Sequence, residues 1–140
     1  MRDLAGVNVD RSYSLAATSI GILTFLLFFL FPRYESGQVN ALLFEATLIV
    51  MGVATFSFGF ASFCYYGSSL GRIDDAERAR YSRRGDCLWL LGDLLLFLTP
   101  SMVLFCISLF VVATAFFALW LAYMLFVIRQ FPRVQTERKT

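Results

Sequence analysis

The chain has 140 residues, of which 59% are apolar and 16% are charged, and its formal net charge is +2. Ordinary soluble domains are about 45–50% apolar and about 25% charged. Such a small net charge, with no basic stripe interleaved with aromatic residues, argues against a nucleic-acid partner. Histidine is absent, which removes the commonest general base and the imidazole ligands of haem and zinc. The sequence therefore predicts no cofactor and no metal site.

Three long stretches of the chain carry almost no charge. They are Tyr13–Phe31, Val39–Tyr66 and Cys87–Ile128, and their only ionisable acids are Glu45 and Asp93. A helix needs about 20 apolar residues to cross about 30 Å of hydrocarbon. The first two stretches are each long enough for one crossing and the third for two. We therefore predict an all-α membrane protein, a single domain over 1–140 formed by a four-transmembrane-helix bundle.

The predicted helices cover about 14–31, 41–66, 87–109 and 111–131, with a polar loop over 67–86. Pro32 should end the first helix and Gly67 the second, because proline and glycine both terminate helices. The turn between the third and fourth helices should lie within Ile107–Thr114. Pro100 is too close to Cys87 to be that turn, so we expect it to kink the third helix.

The loop contains a stretch without proline or glycine, Arg72–Arg84, which predicts a short helix. This helix should either extend a transmembrane helix or lie along the membrane surface. Asp74 and Arg78 are spaced to form a pair at i,i+4. Three further arginines are candidates for contact with lipid headgroups, at about 1 kcal/mol each: Arg80, Arg83 and Arg84. The alternative is a solvated loop that only sets the topology.

The distribution of arginine and lysine predicts the orientation of the chain. With four crossings, the two tails and the middle loop share one side of the membrane. That side then holds eleven of the twelve basic residues, and the first loop holds only Arg33. Short cytoplasmic loops accumulate lysine and arginine. Both termini are therefore predicted to be cytoplasmic, in the plasma (inner) membrane.

Small residues form a stripe on each predicted helix. Lipid-exposed helices associate through close backbone approach, which small side chains permit, so we expect these stripes to pack inside the bundle. The predicted stripes are Ser14, Ala17, Gly21 and Thr24; Glu45, Gly52, Thr55, Gly59 and Ser62; Gly92, Thr99 and Cys106; and Thr114, Ala118 and Ala122. Trp120 and Tyr123 lie in mid-helix, where their polar atoms need a partner. We expect both to face protein, in this chain or in a second copy of a homo-oligomer.

The two acids in the apolar stretches are the candidate functional residues. A charge at the centre of a bilayer costs at least about 2.5–3.5 kcal/mol, so each acid needs a partner. One interpretation is structural, with ion pairs from Arg33 to Glu45 and from Arg129 to Asp93. The other is that small and polar residues on the second helix line an ion pathway comprising Glu45, Thr55, Ser62 and Asp93. In an oligomer, Glu45 would then form a ring of acids that attracts cations, and Asp93 would be a second site or a proton carrier.

Two classes of function follow from these features. The sequence has none of the nucleophile, base or metal motifs of an enzyme, so it predicts a non-enzymatic protein. The first class is an oligomeric ion channel or small transporter. The second is a non-catalytic accessory or scaffold subunit that docks onto a larger membrane-protein partner.

The orientation can be tested by cysteine labelling. Single cysteines at positions 80 and 140, in a background without the native cysteines, should both be protected from an impermeant reagent added outside the cell. Labelling of position 140 with protection of position 80 would contradict the predicted topology.

Overall fold

The computed structural model describes residues 2–70 and 74–137 of the chain, and the side chains of 6–70 and 74–129. Four helices make up this part: α1 (Arg2–Glu35), α2 (Ala41–Ser69), α3 (Asp75–Cys106) and α4 (Phe110–Glu137). Each contains a segment long and apolar enough to cross a membrane. The prediction of an all-helical chain with four helices long and apolar enough to span a membrane is confirmed. Five of the basic residues behind the orientation argument lie outside the described side chains: Arg2, Arg72, Arg133, Arg138 and Lys139.

Several predicted helix boundaries need correction. Pro32 does not end the first helix, because α1 runs on to Glu35 with the proline inside its last turn. The second helix likewise continues two residues past Gly67. Pro100 stays within α3, as predicted. The charged stretch after the loop extends α3, and its ion pair joins Arg78 to Asp75 at 3.0 Å, rather than to Asp74.

Two similar turns close one end of the bundle, which we call the turn end. After α1, Gln38 N donates to Arg33 O at 2.8 Å and Gly37 N to Tyr34 O at 3.0 Å. These two hydrogen bonds together form a Schellman motif. The motif requires a residue in the left-handed conformation, and here that residue is Gly37 (φ 70°).

The turn after α3 repeats the motif within the predicted region. Leu109 N donates to Leu104 O and Ser108 N to Phe105 O, and Ser108 takes the left-handed position (φ 63°). A serine there costs about 1–2 kcal/mol. Asn40 joins the two turns, because its side chain caps α2 at Leu43 N and its backbone N–H donates to Cys106 O.

A seven-residue repeat aligns α2 with α3 along their whole length. On α3 the repeat consists of small residues, namely Gly85, Gly92, Thr99 and Cys106, all buried. On α2 it consists of larger ones, namely Tyr65, Phe58, Met51 and Phe44, with Thr47, Ala54, Ala61 and Ser68 between them, again all buried. A sustained repeat of seven keeps one face of each helix toward its partner in a left-handed crossing. The predicted stripe on the third helix is therefore confirmed.

The opposed residues of this repeat touch directly. A Cβ atom added to Gly85 would lie 2.9 Å from the ring of Tyr65, and one added to Gly92 would lie 3.0 Å from the ring of Phe58. Further toward the turn end, Thr99 Oγ1 contacts Met51 Sδ at 2.9 Å. The absence of side chains at two glycines thus gives space for two aromatic rings.

The stripes predicted on the other helices are wrong. The predicted residues of α1 and α4 are exposed, and on α2 only Ser62 is buried. The buried repeat of α1 is instead Ser12, Ser19 and Leu26, and Ala113 is the one buried residue among the described side chains of α4. Serine hydroxyls in α1 donate to carbonyls of their own helix, four residues earlier. Small size alone does not identify the packed face, because a large side chain can pack equally well where its partner is small.

Extensive packing in the described part joins helices that are neighbours in sequence: α1 with α2, α2 with α3, and α3 with α4. The central helix, α2, has the largest share of buried residues, and the most apolar stretch of α4 has the smallest, 6%. In each of these pairs, a residue late in one helix contacts a residue early in the next. Consecutive helices are therefore antiparallel. Arg11 and the start of α3 therefore lie at the end opposite the turns, which we call the basic end.

Replacing Gly85 tests the close approach of α2 and α3. Gly85→Ala should lower the free energy of unfolding by about 1–3 kcal/mol, because overpacking displaces a buried ring that is also hydrogen-bonded. Gly21→Ala is the matched control, since a Cβ there meets nothing within 4 Å. Denaturant titration in detergent measures both. Equal stability of the two variants would contradict this packing.

Candidate functional site

Glu45 is exposed on the first turn and a half of α2, near the turn end. Its Oε1 accepts a hydrogen bond from the hydroxyl of Tyr34 at 3.0 Å. Tyr34 also packs on Phe44, with ring centroids 5.2 Å apart. The carboxylate is thus attached to α1 through a tyrosine.

Asp93 is buried in α3, with 6% of its surface exposed. It lies thirteen residues from the end of α3 at Cys106, or about 20 Å along the helix, and therefore at hydrocarbon depth. The hydroxyl of Tyr123 on α4 donates a hydrogen bond to its Oδ2. The neighbouring Trp120 donates its indole N–H to Leu94 O at 2.8 Å. Both aromatic residues of α4 face protein, as predicted, and that protein is α3 of the same chain.

The partners of Glu45 and Asp93 are tyrosines and not the predicted arginines. Among the described residues, the single ion pair within 4 Å joins Arg78 and Asp75. The pairs Arg33–Glu45 and Arg129–Asp93 are therefore not formed. Both arginines are exposed near helix ends, where water and headgroups can solvate them, whereas a tyrosine hydroxyl is neutral and can be buried at less cost.

The other predicted pathway residues of α2, Thr55 and Ser62, do not lie on the exposed face that carries Glu45. Thr55 is half-buried and its hydroxyl donates to Met51 O at 2.9 Å. Ser62 is fully buried and donates to Phe58 O at 3.0 Å. Both hydroxyls thus donate to a carbonyl of their own helix, as is usual for serine and threonine in membrane helices. Gly52 and Gly59 follow Glu45 at seven-residue spacing; both are half-buried, and a Cβ added to either would meet nothing within 4 Å.

The three arginines predicted to contact lipid are all exposed on the first turns of α3. Arg80, Arg83 and Arg84 lie at the basic end of the bundle, beyond the apolar part of α3. Their placement is compatible with headgroup contact, which stays a prediction.

A third carboxylate–tyrosine pair lies at the basic end and was missed by the sequence analysis. Tyr65 on α2 donates to Asp86 Oδ1 on α3 at 2.8 Å. Beside it, the guanidinium carbon of Arg11 on α1 lies 4.6 Å from the centre of the Trp89 ring. These four residues and Asn8 line a cavity of about 170 Å³.

The symmetry of the α3–α4 hairpin carries a signal for one of these pairs. Asp93 and Tyr123 are each fifteen residues from Ser108, the left-handed residue of the α3–α4 turn. In an antiparallel helix pair, residues equally distant from the turn lie at the same depth. A search for polar partners at equal distances would have paired Asp93 with Tyr123. It would have missed Tyr34 and Glu45, which are three and eight residues from Gly37.

The described residues contain no group of three histidine, cysteine, aspartate or glutamate side chains that could hold a metal ion. Comparison with known proteins gives no lead, because no family model, no curated protein and no solved structure matches the chain. The inference of function therefore depends on the geometry of these sites.

The Asp93–Tyr123 bond can be measured by a double-mutant cycle. We expect Tyr123→Phe to lower the unfolding free energy by about 1–3 kcal/mol, because it leaves a buried carboxylate without its donor. In an Asp93→Asn background the loss should be smaller by at least about 0.5 kcal/mol, the usual coupling of contacting residues. Tyr66→Phe, at an exposed position, is the control and should be neutral. Additive losses would show that the two side chains do not interact.

Proposed function

We propose that the protein is a small oligomeric membrane channel or transporter for a cation or proton, with Asp93 as the binding group. The observation that carries the proposal is the burial of Asp93 at hydrocarbon depth, bonded to a neutral tyrosine. Ionisable residues within membrane spans mark ion and proton pathways by default. A hydroxyl donor stabilises a carboxylate only in part, whereas a proton or a cation would neutralise its charge.

The charged groups around Asp93 support exchange at this position. In the described part of the chain, no arginine or lysine lies within 4 Å of its carboxylate. No ion pair therefore has to break before a cation or proton binds Asp93.

The α3–α4 contact offers a means of opening. Three polar contacts join the two helices along their length: Asp93 with Tyr123, Trp120 with Leu94 O, and Ser101 with Ala113 O. A cation or proton that neutralises Asp93 removes the negative charge that strengthens its hydrogen bond with the Tyr123 hydroxyl. Binding would thereby weaken one of the contacts that hold α4, the least-packed helix.

The homo-oligomer belongs to the same proposal. Glu45, Gly52 and Gly59 are spaced by seven residues on α2, and a Cβ added to either glycine would meet nothing within 4 Å. Glycines at this spacing permit close approach of a second helix. Copies that meet along this stripe would place several Glu45 carboxylates at the turn end, where a ring of acids would favour cations. The arginine count predicts that the basic end lies on the cytoplasmic side of the plasma membrane. These acids would then face outward.

The second candidate is an accessory or scaffold subunit of a larger membrane complex. Its supporting observation is α4, which has the smallest share of buried residues and packs extensively on α3 alone among the described helices. The exposed surface of α4 would then contact the larger partner. Co-purification with one stoichiometric membrane protein, without ion flux by the isolated chain, would favour this candidate.

Flux measurements on reconstituted protein test the channel or transporter. Proteoliposomes with a proton or potassium gradient should show flux, and Asp93→Asn should lower it at least about tenfold, equivalent to about 1.4 kcal/mol in the barrier. Glu45→Gln should reduce the preference for cations. Glu77→Gln, an exposed acid at the start of α3, is the matched control and should leave flux unchanged.

Two outcomes would contradict the proposal. One is the absence of flux for every cation tested with the wild-type chain. The other is unchanged flux in Asp93→Asn that retains the oligomeric state of the wild type.

A further inference from the structure

The cavity at the basic end has no role in the proposed function. It lies between three helices, with Asn8 and Arg11 from α1, Tyr65 from α2, and Asp86 and Trp89 from α3. Its volume of about 170 Å³ equals that of five or six water molecules at about 30 Å³ each. Four of its five lining side chains are charged or aromatic with a polar atom, so it is suited to a polar ligand.

The depth of the cavity places it at the level of lipid headgroups. Asp86 is twenty residues from the end of α3 at Cys106, or about 30 Å along the helix, which equals the thickness of the hydrocarbon core. Tryptophan and tyrosine are enriched at this boundary, where their rings are buried and their polar atoms are hydrated. Trp89 and Tyr65 have this placement.

The two charges of the cavity are held in fixed positions. Arg11 is stacked on the face of Trp89, an arrangement that orients the guanidinium. Asp86 accepts from Tyr65, whose ring is 5% exposed and packs against Gly85. A cation and an anion are thus positioned in one small cavity by separate packing contacts. Such a pair complements a ligand with opposite charges a few ångströms apart.

We infer that the cavity binds a phosphate group joined by a short chain to a primary ammonium, as in the headgroup of phosphatidylethanolamine. Arg11 binds the phosphate through its guanidinium donors, with the Asn8 amide beside it. The ammonium donates to Asp86, whose carboxylate has about four acceptor positions and so accepts it in addition to the contacts that Asp86 already makes, Tyr65 among them. Asp86 disfavours headgroups that are only anionic. A quaternary ammonium has no N–H to donate, and the Trp89 face that would attract it is covered by Arg11.

Lipid retention measured by native mass spectrometry tests this inference. Protein in mixed micelles with equal amounts of phosphatidylethanolamine, phosphatidylcholine and phosphatidylglycerol should retain the first about tenfold over the others, the ratio expected from one good charged contact. Arg11→Gln should remove this preference. Arg33→Gln, an exposed arginine at the turn end, is the control and should preserve it.

Asp86→Asn separates recognition from folding. Asparagine keeps an oxygen that can accept from Tyr65, so the cavity should remain intact while its negative charge is lost. The preference should then change from phosphatidylethanolamine to phosphatidylglycerol, a result that a misfolded variant would not give. Equal retention of the three lipids by the wild type, or an unchanged preference in Asp86→Asn, would overturn the inference.

A second measurement distinguishes a lipid from a soluble source of the same chemistry. In a Trp120→Phe background, Trp89 is the single remaining tryptophan and reports on the cavity by its fluorescence. A response to phosphatidylethanolamine in nanodiscs, with none to free phosphoethanolamine, supports the lipid. The reverse supports the soluble compound in the same site. No response to either would overturn the inference.

Discussion

The close contact between α2 and α3 is the interaction on which the remaining structure depends. Gly85 and Gly92 allow the backbone of α3 to approach the rings of Tyr65 and Phe58. In hydrocarbon, burial of apolar surface between helices gains little, so packing and polar contacts must hold them together. An aromatic ring against a glycine gives many contacts at once. The other helices are added to this pair, α1 on α2 and α4 on α3.

The absence of water at this depth explains the polar contacts. In the part of the chain with described side chains, every buried side-chain nitrogen or oxygen has a hydrogen-bond partner. Serine and threonine hydroxyls mostly donate to the carbonyl four residues earlier in their own helix. Carboxylates cannot donate, so they need donors from a neighbouring helix, and tyrosines supply them three times. Polar satisfaction therefore divides into local bonds, which stabilise single residues, and longer ones, which join helices.

The three carboxylate–tyrosine pairs join three different pairs of helices. Tyr34 and Glu45 join α1 to α2, Tyr65 and Asp86 join α2 to α3, and Tyr123 and Asp93 join α3 to α4. Their depths differ, which gives them different chemistry. The first is exposed at the turn end, the second lies at the opposite headgroup level beside Arg11, and the third is within the hydrocarbon. Only the third has a carboxylate whose charge is costly, which is why the ion-binding proposal rests on Asp93 and the headgroup site on Asp86.

The sequence alone determined the class of fold, the number of helices long enough to span a membrane and the location of the turn between α3 and α4. These depend on the length and charge of each segment, which a single helix carries in its own residues. It also predicted that Trp120 and Tyr123 face protein, because a polar atom in mid-span needs a partner wherever that partner lies. Pro32 does not end α1 as predicted, because a helix tolerates the loss of one backbone hydrogen bond near its end. The helix ends only at the turn in which Gly37 takes the left-handed conformation.

Only the tertiary structure decided which faces pack and which side chains pair. A stripe of small residues occurs on several faces of each helix, and the packed one depends on the shape of the neighbour. On α2 the packed face holds Phe58 and Tyr65, because glycines oppose them on α3. The partners of Glu45 and Asp93, and the meeting of Arg11 with Trp89, depend in the same way on the register between helices. Register is a relation between two segments, so neither segment's own residues contain it.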